Sequence, residues 1–136
     1  MTDKVGPYFC TAPWTHTYVS PQGERRLCCA SREDASFQKQ YIDAGDSNNT
    51  EFAPISLDEH WNSEYMKDIR KRILAGEKIS QCDVCNNQVL NLHTYKDYFT
   101  KNLFSHKVED IIASTREDGY TSMQPISFDY RISNLC

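Results

Sequence analysis

A small α+β domain organised around clustered thiols is the fold class the sequence predicts, and three observations predict it. An apolar stripe at helical spacing runs from Leu57 to Leu74, a proline-glycine turn signature at Ser20-Pro21-Gln22-Gly23 separates two strand-like segments, and six cysteines lie within 136 residues. The length fits one domain and leaves little room for separate cofactor and substrate lobes. Only 39% of the residues are hydrophobic and the mean hydropathy is −0.67, so burial alone leaves such a fold near the margin of stability. An additional staple is expected.

The first element is a β-hairpin with strands near 13–19 and 24–29. Pro21 presets φ and Gly23 accepts a positive φ between Val19 and Leu27. Tyr8, Phe9, Cys10 and Pro13 lead into it. The polar stretch 30–55, with its run Asp43-Ala44-Gly45-Asp46-Ser47-Asn48-Asn49-Thr50, reads as a surface loop with a short helical turn around Phe37 to Ile42. Ser56 and Glu59 have capping-box spacing, so a helix starts at Leu57. Leu57, Trp61, Tyr65, Ile69 and Ile73 then recur every fourth residue, widened by Met66 and Leu74, with a break and recap at Asn62-Ser63. Gly76 is the expected stop. Arg70, Lys71 and Arg72 read as a solvated face that complements the helix dipole.

After Ile79 comes Cys82-Asp83-Val84-Cys85, opening a second helical pattern through about Phe104 whose inner side is Val89, Leu92, Tyr95 or Lys96, Phe99 and Leu103. The segment from His106 to Thr121 is locally helical at Val108, Ile111 and Ile112, then turns at Asp118-Gly119. Ile126, Phe128, Tyr130 and Ile132 alternate with polar residues, which is the pattern of a strand leading to Cys136.

Nineteen acidic against fifteen basic side chains, net charge −4, argue against a protein whose main work is holding phosphate backbones. No apolar run approaches membrane-spanning length and no signal peptide is evident, so a cytoplasmic protein without membrane or nucleic-acid partners is expected. In a reducing compartment, cysteines are metal ligands or catalytic groups more often than disulfides.

Cys82 and Cys85 form a CxxC pair whose sulfurs can converge on one metal centre. A thioredoxin-like redox reading would require a βαβ context, which is not visible. The rest of a four-ligand site must come from Cys10, Cys28 and Cys29. Adjacent strand residues point to opposite faces, so one of Cys28 and Cys29 joins Cys10, Cys82 and Cys85. Four thiolates suit structural zinc or an iron-sulfur cluster. Zinc knuckles usually come as two CxxC pairs, whereas Cys10 and Cys28 are separated by 17 residues across a hairpin. Iron-sulfur, zinc and unrelated structural thiols all remain open on spacing alone.

Phe9-Cys10-Thr11-Ala12-Pro13-Trp14, Pro21-Gln22-Gly23-Glu24-Arg25-Arg26-Leu27-Cys28-Cys29, the Trp61-Asn62-Ser63-Glu64 helix and Cys82-Asp83-Val84-Cys85 together resemble the twitch domain. This is the shortened SPASM domain that carries an auxiliary cluster in radical S-adenosylmethionine enzymes. The resemblance covers about Tyr8 to Cys85. Its glycine-x4-cysteine element implies Cys28 as the second ligand and a [4Fe-4S] cluster on Cys10, Cys28, Cys82 and Cys85, with Cys29 a hairpin thiol. Electron transfer is the role it implies.

Ile126 to Cys136 resembles the first barrel strand of a radical S-adenosylmethionine core, ending at the first cysteine of its CxxxCxxC loop. Cys136 would then be a cofactor-binding ligand of a second cluster that binds S-adenosylmethionine in the complete enzyme. With the other two cysteines absent, the chain as given is expected not to be catalytic alone and to need a barrel in cis or as a separate chain, with a peptide or small molecule as substrate. The implied division is an iron-sulfur domain over 1–105, a linker over 106–125 and the start of a partial TIM barrel over 126–136. His16, His60, His93 and His106 show no mutual metal-like spacing, His16 alone being placed to approach the centre. Trp14 and Trp61 read as core aromatics, and Tyr95, Tyr98, Phe99 and Phe104 as helix packing.

Overall fold

The structure, a computed structural model, describes residues 5–19, 25–33, 41–46, 49–52, 56–87 and 94–131. It is α+β, with a three-stranded sheet, a two-stranded ribbon and several short helices. Pro13 sits in the first turn of a one-turn helix, α1 (Ala12–Thr15), where its missing N–H costs nothing. The chain then extends into β1 (His16–Val19), which pairs antiparallel with β2 (Arg25–Arg26) in the register Tyr18↔Arg26 and Val19↔Arg25. The hairpin is therefore shorter than expected: residues 13–15 are helical, and the described second strand covers two residues. The expected turn at 20–24 lies outside the described residues.

Part of the expected surface loop is instead an antiparallel ribbon of β3 (Tyr41–Asp46) and β4 (Asn49–Phe52), with Tyr41 opposite Phe52 and an irregularity between Asp43 and Asp46. Strand-favouring residues at both ends of a turn-rich polar run account for the pairing. The expected turn beginning at Phe37 falls mostly outside the described residues, and its last two positions, Tyr41 and Ile42, lie in β3.

The long apolar stripe is split as its Asn62-Ser63 interruption predicts. Ser56 accepts a hydrogen bond from the Glu59 N–H at the start of α2 (Leu57–Trp61), and Ser63 accepts one from the Met66 N–H at the start of α3 (Glu64–Leu74). Gly76, at φ +86°, ends α3. The Gly76 N–H donates to the Ile73 carbonyl and the Glu77 N–H to that of Arg72, which is the paired closure of a Schellman cap.

Two short helical turns follow, a 3-10 turn at Ser80–Cys82 and α4 (Asp83–Asn86). Residues 88–93, with Val89, Leu92 and His93, lie outside the described residues. Next, α5 (Tyr95–Asp97) runs directly into a π-helical stretch, Tyr98–Leu103. Widening the turn shifts the phase of the inner face. Phe99 is buried, while Leu103, Tyr95 and Tyr98 are exposed, so the expected packing face holds only in part. A 3-10 turn, Ser105–Lys107, leads into α6 (Val108–Ser114), and β5 (Ser127–Tyr130) pairs parallel with β1, giving the sheet order β2-β1-β5.

Phe9, Trp14, Leu27, Met66, Ile69, Ile73, Ile79, Val108 and Ile111 form the main core between α1, α3 and α6. Arg70 corrects the solvated-face expectation, since its side chain is fully buried. Its guanidinium donates to the carbonyls of Pro13 (2.8 Å), Trp61 (2.6 Å) and Gly119 (3.4 Å) and to Asn62 Oδ1 (2.8 Å), and stacks over the Trp61 ring. Burial pulls its pKa down to about 9. A charge can occupy this site because its donors meet four oxygen acceptors on three separate segments. No helix among the described residues is long and apolar enough to cross a membrane.

Candidate metal centre

Three separate segments bring cysteines to one place. Cys10 directly precedes α1, where its Sγ accepts a 3.4 Å hydrogen bond from the Ala12 N–H, and the Thr11 N–H next to it donates to Thr100 Oγ1 of the π-helical stretch. Cys28 follows β2 in a turn closed by hydrogen bonds from the Ser31 N–H and Oγ to its own carbonyl. Cys82 ends the 3-10 turn and Cys85 lies in α4, so the CxxC pair sits on one tight helical bend. All four line a single cavity walled by Pro13, Leu27 and Phe99, with Lys96 at its edge. Among the described residues, no histidine or carboxylate lines it. The space measures about 20 Å³, room for about one water molecule, so a larger group seats only if the walls part.

Burial dominates the electrostatics. Together with repulsion between neighbouring sulfurs, a smaller cause, it pushes the Cys10, Cys28 and Cys82 thiols up to about 12. The Ala12 N–H and the Lys96 ammonium oppose this at Cys10 and Cys82 respectively. Such thiols keep their protons until a cation replaces them, at which point ligation and proton release become one step. Among the described residues, no group of three or more histidine, cysteine or acidic side chains is arranged to hold a single metal ion.

Cys29 does not line the cavity, and its thiol lies beside the Tyr95 hydroxyl, whose pKa it raises. Cys136 lies outside the described residues. His16 is buried against Phe99, with ring centroids 4.6 Å apart, and its Nδ1 is hydrogen-bonded with Ser127 Oγ at 2.9 Å; it too does not line the cavity. His60 is buried beside α3, and Trp14 and Trp61 are core aromatics whose indole N–H groups donate to Thr115 Oγ1 and the Met123 carbonyl.

Sequence reasoning missed Thr100 and Lys96 as neighbours of the site. Neither carries a spacing signal, because each reaches the site only through the tertiary fold.

A family model described as SPASM, an iron-sulfur cluster-binding domain, matches residues 10–87, more than half of the chain and the stretch that holds all four cavity cysteines. No curated protein and no solved structure matches.

Proposed function

The chain belongs to the SPASM iron-sulfur cluster-binding family, and from that premise we propose that Cys10, Cys28, Cys82 and Cys85 ligate one [4Fe-4S] cluster in an electron-transfer module. The observation that carries the reading is the convergence of these four thiols, from three segments, on one apolar cavity. Their donor chemistry fits the cluster, as the four sulfurs share the cavity with no carboxylate or imidazole among its described lining side chains. The separation of Cys10 from Cys28 across a hairpin, in place of a second CxxC knuckle, favours a polynuclear centre, whose cysteines each hold a different iron, over zinc.

When bound, the cluster supplies a one-electron donor or acceptor. The rest of the chemistry belongs to the chain. Pro13, Leu27 and Phe99 exclude water, the Ala12 N–H is aimed at the Cys10 sulfur, and the Lys96 ammonium offsets part of the thiolate charge. Burial, net charge and hydrogen bonds to sulfur are the levers that set a cluster's potential. Four protein ligands would leave no open iron for direct substrate binding, which is why electron transfer is the role proposed.

The wider setting is a radical S-adenosylmethionine enzyme whose barrel lies in cis or on a separate chain. It would hold S-adenosylmethionine and a second cluster, with Cys136 as one ligand, and would act on a peptide or small molecule. The sheet supports this setting. Ile126, Phe128 and Tyr130 are each more than half exposed beside or along β5, an apolar row at the sheet edge of the kind that a packing partner covers.

Anaerobic purification of the full chain tests the cluster. A brown protein with broad visible absorption is expected, the colour being lost in Cys28→Ala and Cys82→Ala and kept in Cys29→Ala. A colourless protein carrying one zinc would overturn the reading, and loss of colour only in the Cys29 variant would reverse the ligand choice.

A further inference from the structure

We infer that Glu33 is a positioning residue for the cysteine centre: it holds the backbone on either side of Cys28 so that Cys28, and not the adjacent Cys29, turns its sulfur into the cavity. This rests on the reading of Cys10, Cys28, Cys82 and Cys85 as cluster ligands.

Glu33 Oε2 accepts a hydrogen bond from the Leu27 N–H at 2.9 Å, immediately before Cys28. The same oxygen lies 2.5 Å from Ser31 Oγ, which is also 2.9 Å from the Cys28 carbonyl, so the single hydroxyl proton is shared between carboxyl and carbonyl. Glu33 Oε1 accepts from the Tyr65 hydroxyl at 2.7 Å, which anchors the turn to α3 in the main core. One residue earlier in the turn, the Arg32 N–H donates to the Gln81 carbonyl at 2.9 Å, joining it to the 3-10 turn that carries Cys82.

One carboxyl thus ties the residue before Cys28, the turn after it and α3 into a single frame. Cys28 and Cys29 have the same chemistry and adjacent places in the chain, so something outside the pair must choose which sulfur enters the cavity. The frame is what distinguishes them: Cys28 lines the cavity while Cys29 lies beside the Tyr95 hydroxyl. Burial raises the Glu33 pKa, and the hydrogen bonds from Ser31, Tyr65 and Leu27 oppose that rise.

The test compares full-length wild type with Glu33→Ala, Glu33→Gln, Tyr65→Phe, Cys28→Ala and the pair Glu33→Ala/Cys29→Ser after anaerobic reconstitution with iron and sulfide. The readouts are iron content, the EPR signal of the reduced cluster and the rate of iron loss to a chelator. Glu33→Ala should lose iron about 10–100-fold faster than wild type, the range seen when an outer-shell partner of a metal ligand is removed. Its EPR signal should show a second cluster population that disappears when Cys29→Ser is added. Glu33→Gln, which keeps an acceptor for Leu27 and Ser31, should restore both properties towards wild type. If Glu33→Ala does not fold, Tyr65→Phe, which removes one tie, should show a smaller acceleration of the same kind. Wild-type iron retention and EPR in Glu33→Ala, or in Tyr65→Phe where Glu33→Ala does not fold, would overturn the inference while leaving the ligand set intact. A Cys28→Ala chain that keeps the full cluster and its spectrum would overturn the ligand set, and the inference with it.

Discussion

His60 is buried between charged neighbours, and its place in the fold becomes costly only when its imidazole takes up a proton. Desolvation, with Arg25 and Arg70 adding repulsion, pulls its pKa down to about 4 from 6.5. Between pH 6.5 and pH 4 the unfolded chain therefore binds a proton that the folded chain refuses, so stability is complete above pH 6.5 and falls as pH drops towards 4. At about 1.36 kcal/mol per unit, the loss is on the order of 3 kcal/mol at most. His16, also shifted down by burial, acts in the same direction. Chemical denaturation of wild type and His60→Gln across this range should show a shallower pH slope in the variant; parallel slopes would contradict the assignment. Arg70 and Glu33 show why single residues were the least legible part of the sequence. Arg70 sits one position beyond Ile69 in a basic run, which looks solvated, and only the fold reveals that Pro13, Trp61, Asn62 and Gly119 surround it. The CxxC pair and Cys10 were legible from the chain itself, whereas the choice of Cys28 over Cys29 came only from the family resemblance.

Among elements, α3 was the most legible, since its stripe, its Ser63 cap and its Gly76 stop are all local signals. The Trp61-Asn62-Ser63 break has a physical purpose. Trp61 and Asn62 tie to Met123 and Thr121 on the later segment, and Ser63 restarts the helix. The ribbon of β3 and β4 and the π-helical stretch were not legible, because a polar turn-rich run masks short strands and a widened turn breaks the 3.6 period. The two positive-φ glycines among the described residues separate a local requirement from a tertiary one. A Cβ at Gly76, φ +86°, would meet nothing within 4 Å, whereas at Gly119, φ +95°, that carbon would lie 1.8 Å from the Lys67 carbonyl oxygen of α3. Gly76→Ala should cost about 1–2 kcal/mol from backbone strain alone. Gly119→Ala should cost roughly 3 kcal/mol or more, because backbone must also move. Thermal melts of the two variants check the ranking, and equal losses would mean that the α3 backbone does not crowd Gly119.

At the scale of the whole molecule, its early and late segments are interlocked. The β1–β5 pairing, the Trp14–Thr115 and Trp61–Met123 hydrogen bonds and the burial of Val108 and Ile111 bind residues after 105 to the cysteine-bearing part. The parallel pairing of β5 could not be read from its alternation, which is the same for either direction. Neither could the exposure of its apolar row, since alternation shows that a strand has two faces and not which is covered. The lean composition that called for a staple is met by two devices, the buried Arg70 network and the thiol cavity, and the cavity is the one that metal would complete. Iron and acid-labile sulfide counted per chain after anaerobic reconstitution test this most directly. The account predicts about four of each, with a Mössbauer spectrum of one cubane cluster. A chain that holds zinc, or iron without sulfide, in the same cavity would contradict it.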